Sequence, residues 1–310
     1  MIGMEKVMIQ APEGYKKKLM EFADKEAEKY KEVFISVEPC YGACDLRDRD
    51  AKQLGCDKLV HYGHNDFGVK PSIPVEYVIL PTTIDPAPVL KDNLGALKAY
   101  KKIGIVSTVN FLSLIPKVKQ FLSENGKQGI AGEPAGGKWG ASAAGQILGC
   151  DVTAAQVIEN KVDCFLYIGT GKFHPTGMKT KKPFFILDLE KNSLERHDID
   201  HDKIERQRYA RIAIAKMSNK FGLLLSTKEG QFYLSVARRA RDILQKNGKK
   251  AYILVADEFT PEKLMGVDVD CYVNCSCPRM SDDTQRFGKP VITAADVEAL
   301  ASEITQKQTY

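Results

Sequence analysis

The feature that most constrains the fold of this chain is an internal repeat, present three times. Each copy opens with a short apolar strand, a small polar turn and an amphipathic helix. Each then returns to an apolar strand led by an aspartate, and these aspartates, Asp57, Asp163 and Asp270, stand 106 and 107 positions apart. A repeat of this length is too long for a solenoid and indicates three related domains. The three openings read "KVMIQAPEG", "KKIGIVSTVNF" and "KFGLLLSTKEG".

Strands alternate with helices within each copy, so each copy should form a small parallel sheet with right-handed crossovers. The predicted fold is therefore α/β, with three Rossmann-like domains related by pseudo-threefold symmetry and helices flanking each sheet. The first two copies add another apolar strand, "VEYVIL" and "FFILDL", and a helix-like segment before the next copy begins. The predicted domains are residues 1–98, 99–218 and 219–310.

The composition argues against several classes of protein. The 310 residues are 44% hydrophobic and 27% charged, and the net charge is only +5. A dedicated nucleic-acid binder would be more basic, so we expect no direct nucleic-acid partner. No apolar run has the length of a membrane span, and the first residues lack the apolar core of a signal peptide. We expect a cytoplasmic protein whose eight cysteines stay reduced.

Three cysteines follow predicted strands in the repeat. Cys44 and Cys150 each lie between a small residue and an aspartate at the start of a helix, and they are 106 positions apart. Copy three has no cysteine in this loop but carries Cys277 just beyond its last predicted core strand, where copy one has His64 and copy two has Thr170. All three thiols therefore lie past the carboxyl end of a parallel strand, the edge at which α/β sheets bind ligands.

If the three domains face one another around the pseudo-threefold axis, these thiols can converge. Three thiolates would hold a four-iron cluster and leave one iron without a protein ligand, as in reactive metal sites. The alternative is that each thiol is a small buried hydrophobe, the usual role of a lone cysteine in an apolar segment. We assign that structural role to the other five cysteines, Cys40, Cys56, Cys164, Cys271 and Cys275.

The motifs around these cysteines resemble a known family. In this order and over nearly the whole chain, "QAPEG", "YGACD", "STVNF", "GTGKFHPTG" and "CPR" are similar to motifs of the diphthamide-biosynthesis 3-amino-3-carboxypropyltransferases, most of all the archaeal, homodimeric form. The resemblance implies a 4Fe-4S cluster held by Cys44, Cys150 and Cys277. It also implies that S-adenosylmethionine binds near the iron that lacks a protein ligand.

The resemblance implies a radical transferase reaction as well. An electron from the reduced cluster breaks the bond between the sulfonium sulfur and the methionine γ-carbon. The 3-amino-3-carboxypropyl radical then adds to imidazole C2 of a histidine in translation elongation factor 2, and methylthioadenosine leaves. This is the first step of diphthamide biosynthesis, and it needs an electron donor that the sequence does not identify.

The strand-end rim offers candidate contacts for S-adenosylmethionine. Backbone at Gly169 and Gly171 can approach a ligand closely, and His174 lies in the same motif. Ser107 and Thr108 precede a helix, where hydroxyl and N–H groups meet carboxylates, and helix capping is their alternative role. Further candidates are His64, Arg279 and the loop glycines Gly136 and Gly137.

Two other functions fit part of this pattern. A quinolinate-synthase-like dehydratase would also take one cysteine from each of three α/β domains, and its open iron would act as a Lewis acid on a small dicarboxylate. The cysteine surroundings of that family differ from "YGACD" and "CPR". A binding module with a structural or sensory cluster is the third reading. Formation of methylthioadenosine by the reduced, anaerobic protein separates the transferase from both.

Overall fold

The computed structural model describes residues 5–135, 140–178 and 180–307, except for the side chains of residues 281–285 and 301–307. The chain divides into two compact units, Met1–Ile199 and Asp200–Tyr310. The first unit contains two sheets and the second contains one, so each copy of the repeat has its own sheet. The α/β fold with small, mostly parallel sheets is confirmed, whereas the domain boundaries near residues 98 and 218 stay a prediction.

Copy one forms the first sheet. Its elements are β1 (Lys6–Gln10), α1 (Leu19–Ala27), β2 (Glu32–Ile35), α2 (Asp48–Gln53), β3 (Lys58–Tyr62), β4 (Val75–Val78) and α3 (Ala87–Asp92). The strands are all parallel and lie in the order β2-β1-β3-β4. Alternate residues of β1 face opposite sides of the sheet, as the pleat requires. Val7 and Ile9 pack in the apolar cluster that includes α1, and Met8 packs in the cluster on the other face.

Copy two forms the second sheet of the first unit. Its elements are β5 (Lys102–Ser107), α4 (Ile115–Glu124), β6 (Gln128–Ile130), α5 (Thr153–Gln156), β7 (Cys164–Ile168), α6 (Phe173–Thr176), β8 (Phe184–Asp188) and β9 (Ser193–Arg196). The order is β6-β5-β7-β8-β9, and β9 alone in this sheet pairs antiparallel, with β8. Its first four strands therefore repeat the order of the first sheet.

Copy three forms the sheet of the second unit. Its elements are α7 (His201–Met217), β10 (Lys220–Ser226), α8 (Leu234–Lys246), β11 (Lys250–Ala256), β12 (Cys271–Asn274), β13 (Val291–Thr293) and α9 (Ala294–Lys307). The strands are parallel in the order β11-β10-β12-β13. The sequence pattern predicts a fourth strand in the first two copies alone, yet β13 gives one to the third copy. Its three residues are too short to show the apolar run of a typical strand.

The aspartate that leads the third strand has the same structural role in every copy. Its carboxylate accepts two backbone N–H groups at the start of the first strand, at 2.7 to 3.0 Å. These bonds lower the pKa of all three carboxyl groups. The even spacing of the aspartates thus reflects one repeated contact between the first and third strands. The donors are Glu5 and Lys6 for Asp57, Lys101 and Lys102 for Asp163, and Asn219 and Lys220 for Asp270.

Candidate metal centre

All three sheets share one strand order, and this order determines where ligands bind. In each sheet the second strand lies on one side of the first strand and the third strand lies on the other side. The topological switch point, where the direction of strand addition reverses, is therefore between the first and third strands. Parallel α/β sheets bind ligands outside the carboxyl ends of the strands at that point. In copy one the residues paired there are Gln10 at the end of β1 and His61 in β3.

The loop that carries Cys44 lies between β2 and α2, and the Cys44 side chain is half-buried. Gln10 holds this loop, because its side-chain N–H donates to the Asp45 carbonyl at 2.7 Å and its oxygen accepts the Arg47 backbone N–H at 3.1 Å. Gly42 allows the loop to pack closely, since a Cβ there would lie 3.3 Å from the Phe67 ring. These two hydrogen bonds therefore fix the backbone next to the thiol.

The loop that carries Cys150 lies between β6 and α5, and its thiol is exposed. The next residue, Asp151, ties the loop together. One of its oxygens accepts the Ala141 N–H at 2.8 Å, and the other accepts the Thr153 N–H at 3.0 Å and the Thr153 hydroxyl at 2.7 Å. Gly140 has a φ of +135°, and a Cβ there would lie under 3.0 Å from the Asp151 carboxylate. The Cys-Asp pair thus joins a surface thiol to an anchoring carboxylate.

The two Cys-Asp loops of the first unit are linked to each other. The Cys150 loop is also tied to the loop after β3, because the Gln146 side chain donates to Asn65 at 2.8 Å and Asn65 donates to the Ser142 hydroxyl at 2.9 Å. Cys44 packs against an apolar cluster that includes Leu148, two residues before Cys150. Copies one and two therefore bring these loops together, while the meeting of all three thiols stays a prediction.

Cys277 follows β12 and is half-buried. Burial raises the pKa of its thiol, but the backbone N–H groups of Arg279 and Met280 and the cations of Arg279 and Lys228 act in the opposite direction. Cys275 lies two residues earlier, where burial raises the pKa to about 12. Of these two neighbouring thiols, Cys277 has the N–H groups and positive charges that stabilise a thiolate.

Burial divides the eight cysteines in the way that their predicted roles require. The proposed ligands Cys44, Cys150 and Cys277 are half-buried or exposed. The other five are buried, and burial raises the pKa of Cys164 and Cys271 to about 12. Soft thiolate donors are the ligands of iron–sulfur clusters. One accessible thiol from each copy is the number of ligands expected for a four-iron cluster in which one iron has no protein ligand.

Two of the residues predicted to contact S-adenosylmethionine make protein hydrogen bonds. The buried Ser107 hydroxyl donates to the Ile168 carbonyl at 2.7 Å and so links the ends of β5 and β7. The Thr108 side chain acts to lower the pKa of the Tyr167 hydroxyl, against the larger effect of burial. Contact of these hydroxyls with S-adenosylmethionine stays a prediction.

The other predicted contacts lie just after β7. Gly169 is buried with a φ of +154°, and a Cβ there would lie 2.6 Å from the Tyr167 hydroxyl. Gly171 is exposed with a φ of +70°, which disfavours other residues. His174 lies in α6, half-buried, with its ring stacked on Tyr167 at a centroid distance of 6.5 Å. Their role in binding S-adenosylmethionine also stays a prediction.

A histidine pair occupies the switch point of copy one. His61 Nε2 and His64 Nδ1 are 2.9 Å apart, and His61 is fully buried. Burial, together with His64, holds the pKa of His61 well below its usual range, while burial and the neighbouring His174 lower the pKa of His64 to about 4. The sequence predicted His64 but missed His61 and its partner Gln10. Polar residues at paired positions of two apolar strands were the available signal.

The remaining candidates add little to this geometry. Arg279 lies beside Cys277, where its charge favours the thiolate. Gly136 and Gly137 lie outside the described residues.

Among the helices of the described residues, none combines the length and the apolar character that a membrane span requires.

Three α/β sheets of one strand order, with an accessible thiol in each copy, are the features expected of an iron–sulfur type of α/β protein. One cluster ligand from each repeat stays a prediction. The model of the family described as "Putative diphthamide synthesis protein" matches residues 11–310. The chain therefore belongs to the diphthamide synthesis protein family.

Similar proteins carry specific names. The chain is 35% identical to 2-(3-amino-3-carboxypropyl)histidine synthase of Pyrococcus horikoshii, with 96% of this chain and 86% of the relative covered. It is 31% identical to subunit 1 of the synthase of the same name from Caenorhabditis elegans, with 92% and 73% covered. A crystal structure of Dph2 from Pyrococcus horikoshii with a 4Fe-4S cluster superposes with a TM-score of 0.85 at 34% identity, and the match covers 97% of this chain and 87% of that one.

Proposed function

We propose that this protein transfers the 3-amino-3-carboxypropyl group of S-adenosylmethionine to imidazole C2 of a histidine in translation elongation factor 2. This reaction is the first step of diphthamide biosynthesis. The similarity to the Pyrococcus horikoshii histidine synthase over 96% of this chain carries the proposal. The accessible thiol in each copy of the repeat supports it from the structure.

Cys44, Cys150 and Cys277 hold a 4Fe-4S cluster in this proposal. Their loops suit the task because the side chains of Gln10 and Asp151 hydrogen-bond to the backbone beside two of the thiols. When bound, the cluster supplies one electron to the sulfonium, so that the bond to the methionine γ-carbon breaks.

The protein's own residues bind and orient S-adenosylmethionine. We assign the contacts to the ends of β5 and β7, where Ser107, Thr108, Gly169, Gly171 and His174 lie. Gly171 has a left-handed backbone, which favours glycine, and it brings no side chain to the loop. A fixed orientation matters because only one carbon–sulfur bond of the sulfonium is to break.

The partners belong to the same proposal. The substrate is a protein, elongation factor 2, because the relatives are named for a modified histidine. A homodimer, a cytoplasmic location and an external electron donor complete it. The net charge of +5 is compatible with an acidic partner surface.

The test is an anaerobic assay of the purified, cluster-loaded chain. We expect the reduced protein to convert S-adenosylmethionine to methylthioadenosine and to add a 3-amino-3-carboxypropyl group to one histidine of elongation factor 2, detected by peptide mass spectrometry. Cluster-loaded protein that forms no methylthioadenosine would contradict the proposal. It would favour the dehydratase if a dicarboxylate is consumed, and a sensory or structural cluster if nothing turns over.

Cysteine variants test the proposed ligand set. Cys44→Ala, Cys150→Ala and Cys277→Ala should each lose most of the bound iron, the visible iron–sulfur absorbance and the formation of methylthioadenosine. Cys56→Ala is the matched control, because Cys56 is a buried cysteine of copy one. It should keep iron and turnover. Equal iron in all four variants would remove these three residues from the ligand set.

A further inference from the structure

Three metal-ligating side chains of the first unit lie together outside the proposed cluster ligands. The Cys40 sulfur and one ring nitrogen each from His61 and His64 are all within 4.8 Å of one another. Cys40 and His61 are buried and His64 is half-buried. Cys40 comes from the loop after β2, His61 from β3 and His64 from the loop after β3. Three backbone segments therefore deliver nitrogen and sulfur donors to one point.

Gln10 determines which nitrogen of His61 is available. The Gln10 side-chain N–H donates to the Asp45 carbonyl, and its oxygen accepts the Arg47 backbone N–H. The same oxygen lies 3.2 Å from His61 Nδ1, so that nitrogen must carry the proton. In a neutral imidazole the lone pair is then on Nε2, the atom that lies 2.9 Å from His64 Nδ1.

This arrangement is typical of histidines that bind metals. Such a histidine usually donates its second ring N–H to a fixed oxygen, which sets the tautomer and the orientation of the ring. For His61 the fixed oxygen is that of Gln10, which is itself fully buried and held by two further hydrogen bonds. The lone pair of His61 Nε2 faces His64 Nδ1, and the Cys40 sulfur lies within 4.8 Å of a ring nitrogen of each histidine.

We propose that Cys40, His61 and His64 form a second metal site, which binds one divalent transition-metal ion. One thiolate and two imidazoles are a borderline-soft donor set, which suits Zn²⁺ and excludes Mg²⁺ and Ca²⁺ as preferred ions. Zn²⁺ is the ion that we assign, bound by His61 Nε2, His64 Nδ1 and the Cys40 sulfur. On binding, the proton between the two imidazoles moves to His64 Nε2, and the thiol proton leaves to solvent.

The observed distances require only small movements. Zn–N bonds of about 2.0 to 2.1 Å set the two nitrogens of a tetrahedral site about 3.3 Å apart, compared with the 2.9 Å observed between His61 and His64. Three protein ligands leave a fourth position for water, as in zinc sites that are not closed. The half-exposed side of His64 is the route by which the ion enters.

The experiment uses the complete chain with its iron cluster already loaded and counted, so that zinc does not fill the cluster site. After equilibration with buffered Zn²⁺ and desalting, we expect one zinc per chain with the iron content unchanged. The zinc K-edge X-ray absorption spectrum should show about one sulfur near 2.3 Å and two nitrogens near 2.0 Å. This readout does not depend on any activity, so it is separate from the test of the proposed function.

Variants of the proposed ligands test which residues bind the zinc. Cys40→Ser and His64→Gln should each weaken zinc binding by more than the roughly 10- to 100-fold typical of changes outside the ligand shell. Cys56→Ser and His197→Gln are the matched controls and should bind zinc as the parent does. His64→Gln is the safer variant for folding, because His64 is only half-buried, and circular dichroism checks both.

Three results would overturn the second site. They are the absence of stoichiometric zinc, zinc that persists unchanged in Cys40→Ser and His64→Gln, and a zinc shell made of sulfur alone. In the first case the two histidines are a hydrogen-bonded pair and Cys40 is a packing residue. In the last case the zinc occupies the thiols proposed for the cluster.

Discussion

At the scale of single residues, the surroundings of each cysteine decide its chemistry. Cys164 and Cys271 are the first residues of β7 and β12, directly after Asp163 and Asp270, and both are completely buried. Burial raises the pKa of both thiols from 9.0 to about 12. Cys150, in contrast, lies exposed on a loop. The same residue type is therefore a packing group in a strand and an accessible donor past a strand end.

This contrast predicts the order in which the thiols of the cluster-free protein react. A rise of about three pKa units lowers the thiolate fraction about 1,000-fold at a given pH, and burial also restricts access. We expect brief treatment with iodoacetamide to alkylate Cys150 first and to leave Cys164 and Cys271 unmodified until the chain unfolds. Peptide mass spectrometry measures the order. Early alkylation of Cys164 in folded protein would contradict the structure.

Replacement of Gly132, just after β6, by alanine adds a single methyl group and should strongly destabilise the fold. A Cβ there would lie under 3.0 Å from the Ala154 carbonyl oxygen of α5, and backbone cannot move as a side chain tip does. We expect Gly132→Ala to lower the free energy of unfolding by about 1 to 3 kcal/mol or more, measured by urea denaturation. Gly95→Ala is the control, because a Cβ there has nothing within 4 Å. It should be neutral or slightly stabilising.

At the scale of elements, the repeated unit is a pair of strands joined by an aspartate. In each copy the carboxylate before the third strand accepts two N–H groups at the start of the first strand. Strand periodicity was enough to predict β1, β5 and β10, whose apolar residues are continuous. It was not enough for β13, because three residues carry too little pattern.

The aspartate contacts make stability depend on pH with a definite sign. Each of the three carboxyl groups has a lower pKa in the folded chain than in the unfolded chain. Its contribution to the stability of the fold is therefore fully present at a pH above the unfolded-state pKa, and it is lost as the pH falls through the folded-state pKa. Asp270→Asn should therefore be less stable than the parent near neutral pH, and the difference should shrink below about pH 4. Urea midpoints measured across this range give the comparison.

A surface aspartate provides the control for this prediction. Asp24 is an exposed residue of α1, and Asp24→Asn removes the same charge without removing such a pair of bonds. It should keep the pH profile of the parent. If Asp24→Asn and Asp270→Asn shift the profile equally, net charge rather than the strand contact explains the effect.

At the scale of the whole molecule, each sheet has its own apolar core. Every sheet carries apolar clusters of buried residues on both of its faces. Burial of apolar surface is the dominant favourable term in folding, and here it does not depend on a metal. This differs from small zinc domains, which are unfolded without their ion.

Removal of iron should therefore abolish turnover but preserve the fold. We expect the chelated, cluster-free chain to keep its far-UV circular dichroism spectrum and a cooperative thermal transition. Reconstitution with iron and sulfide under anaerobic conditions should restore visible absorbance and methylthioadenosine formation. Loss of most secondary structure on chelation would show that the cluster is part of the core.

The sequence by itself determined the α/β class, the threefold repeat and the place of Cys164 and Cys271 within buried strands. These properties follow from local periodicity and from equal spacing, which a linear chain displays directly. Only the tertiary structure decided that Gln10, His61, His64 and Cys40 meet at one switch point, and that the loops of Cys44 and Cys150 share one apolar cluster. The physical reason is that strand register and loop packing bring together residues far apart in the chain, and neither leaves a periodic signal in the sequence.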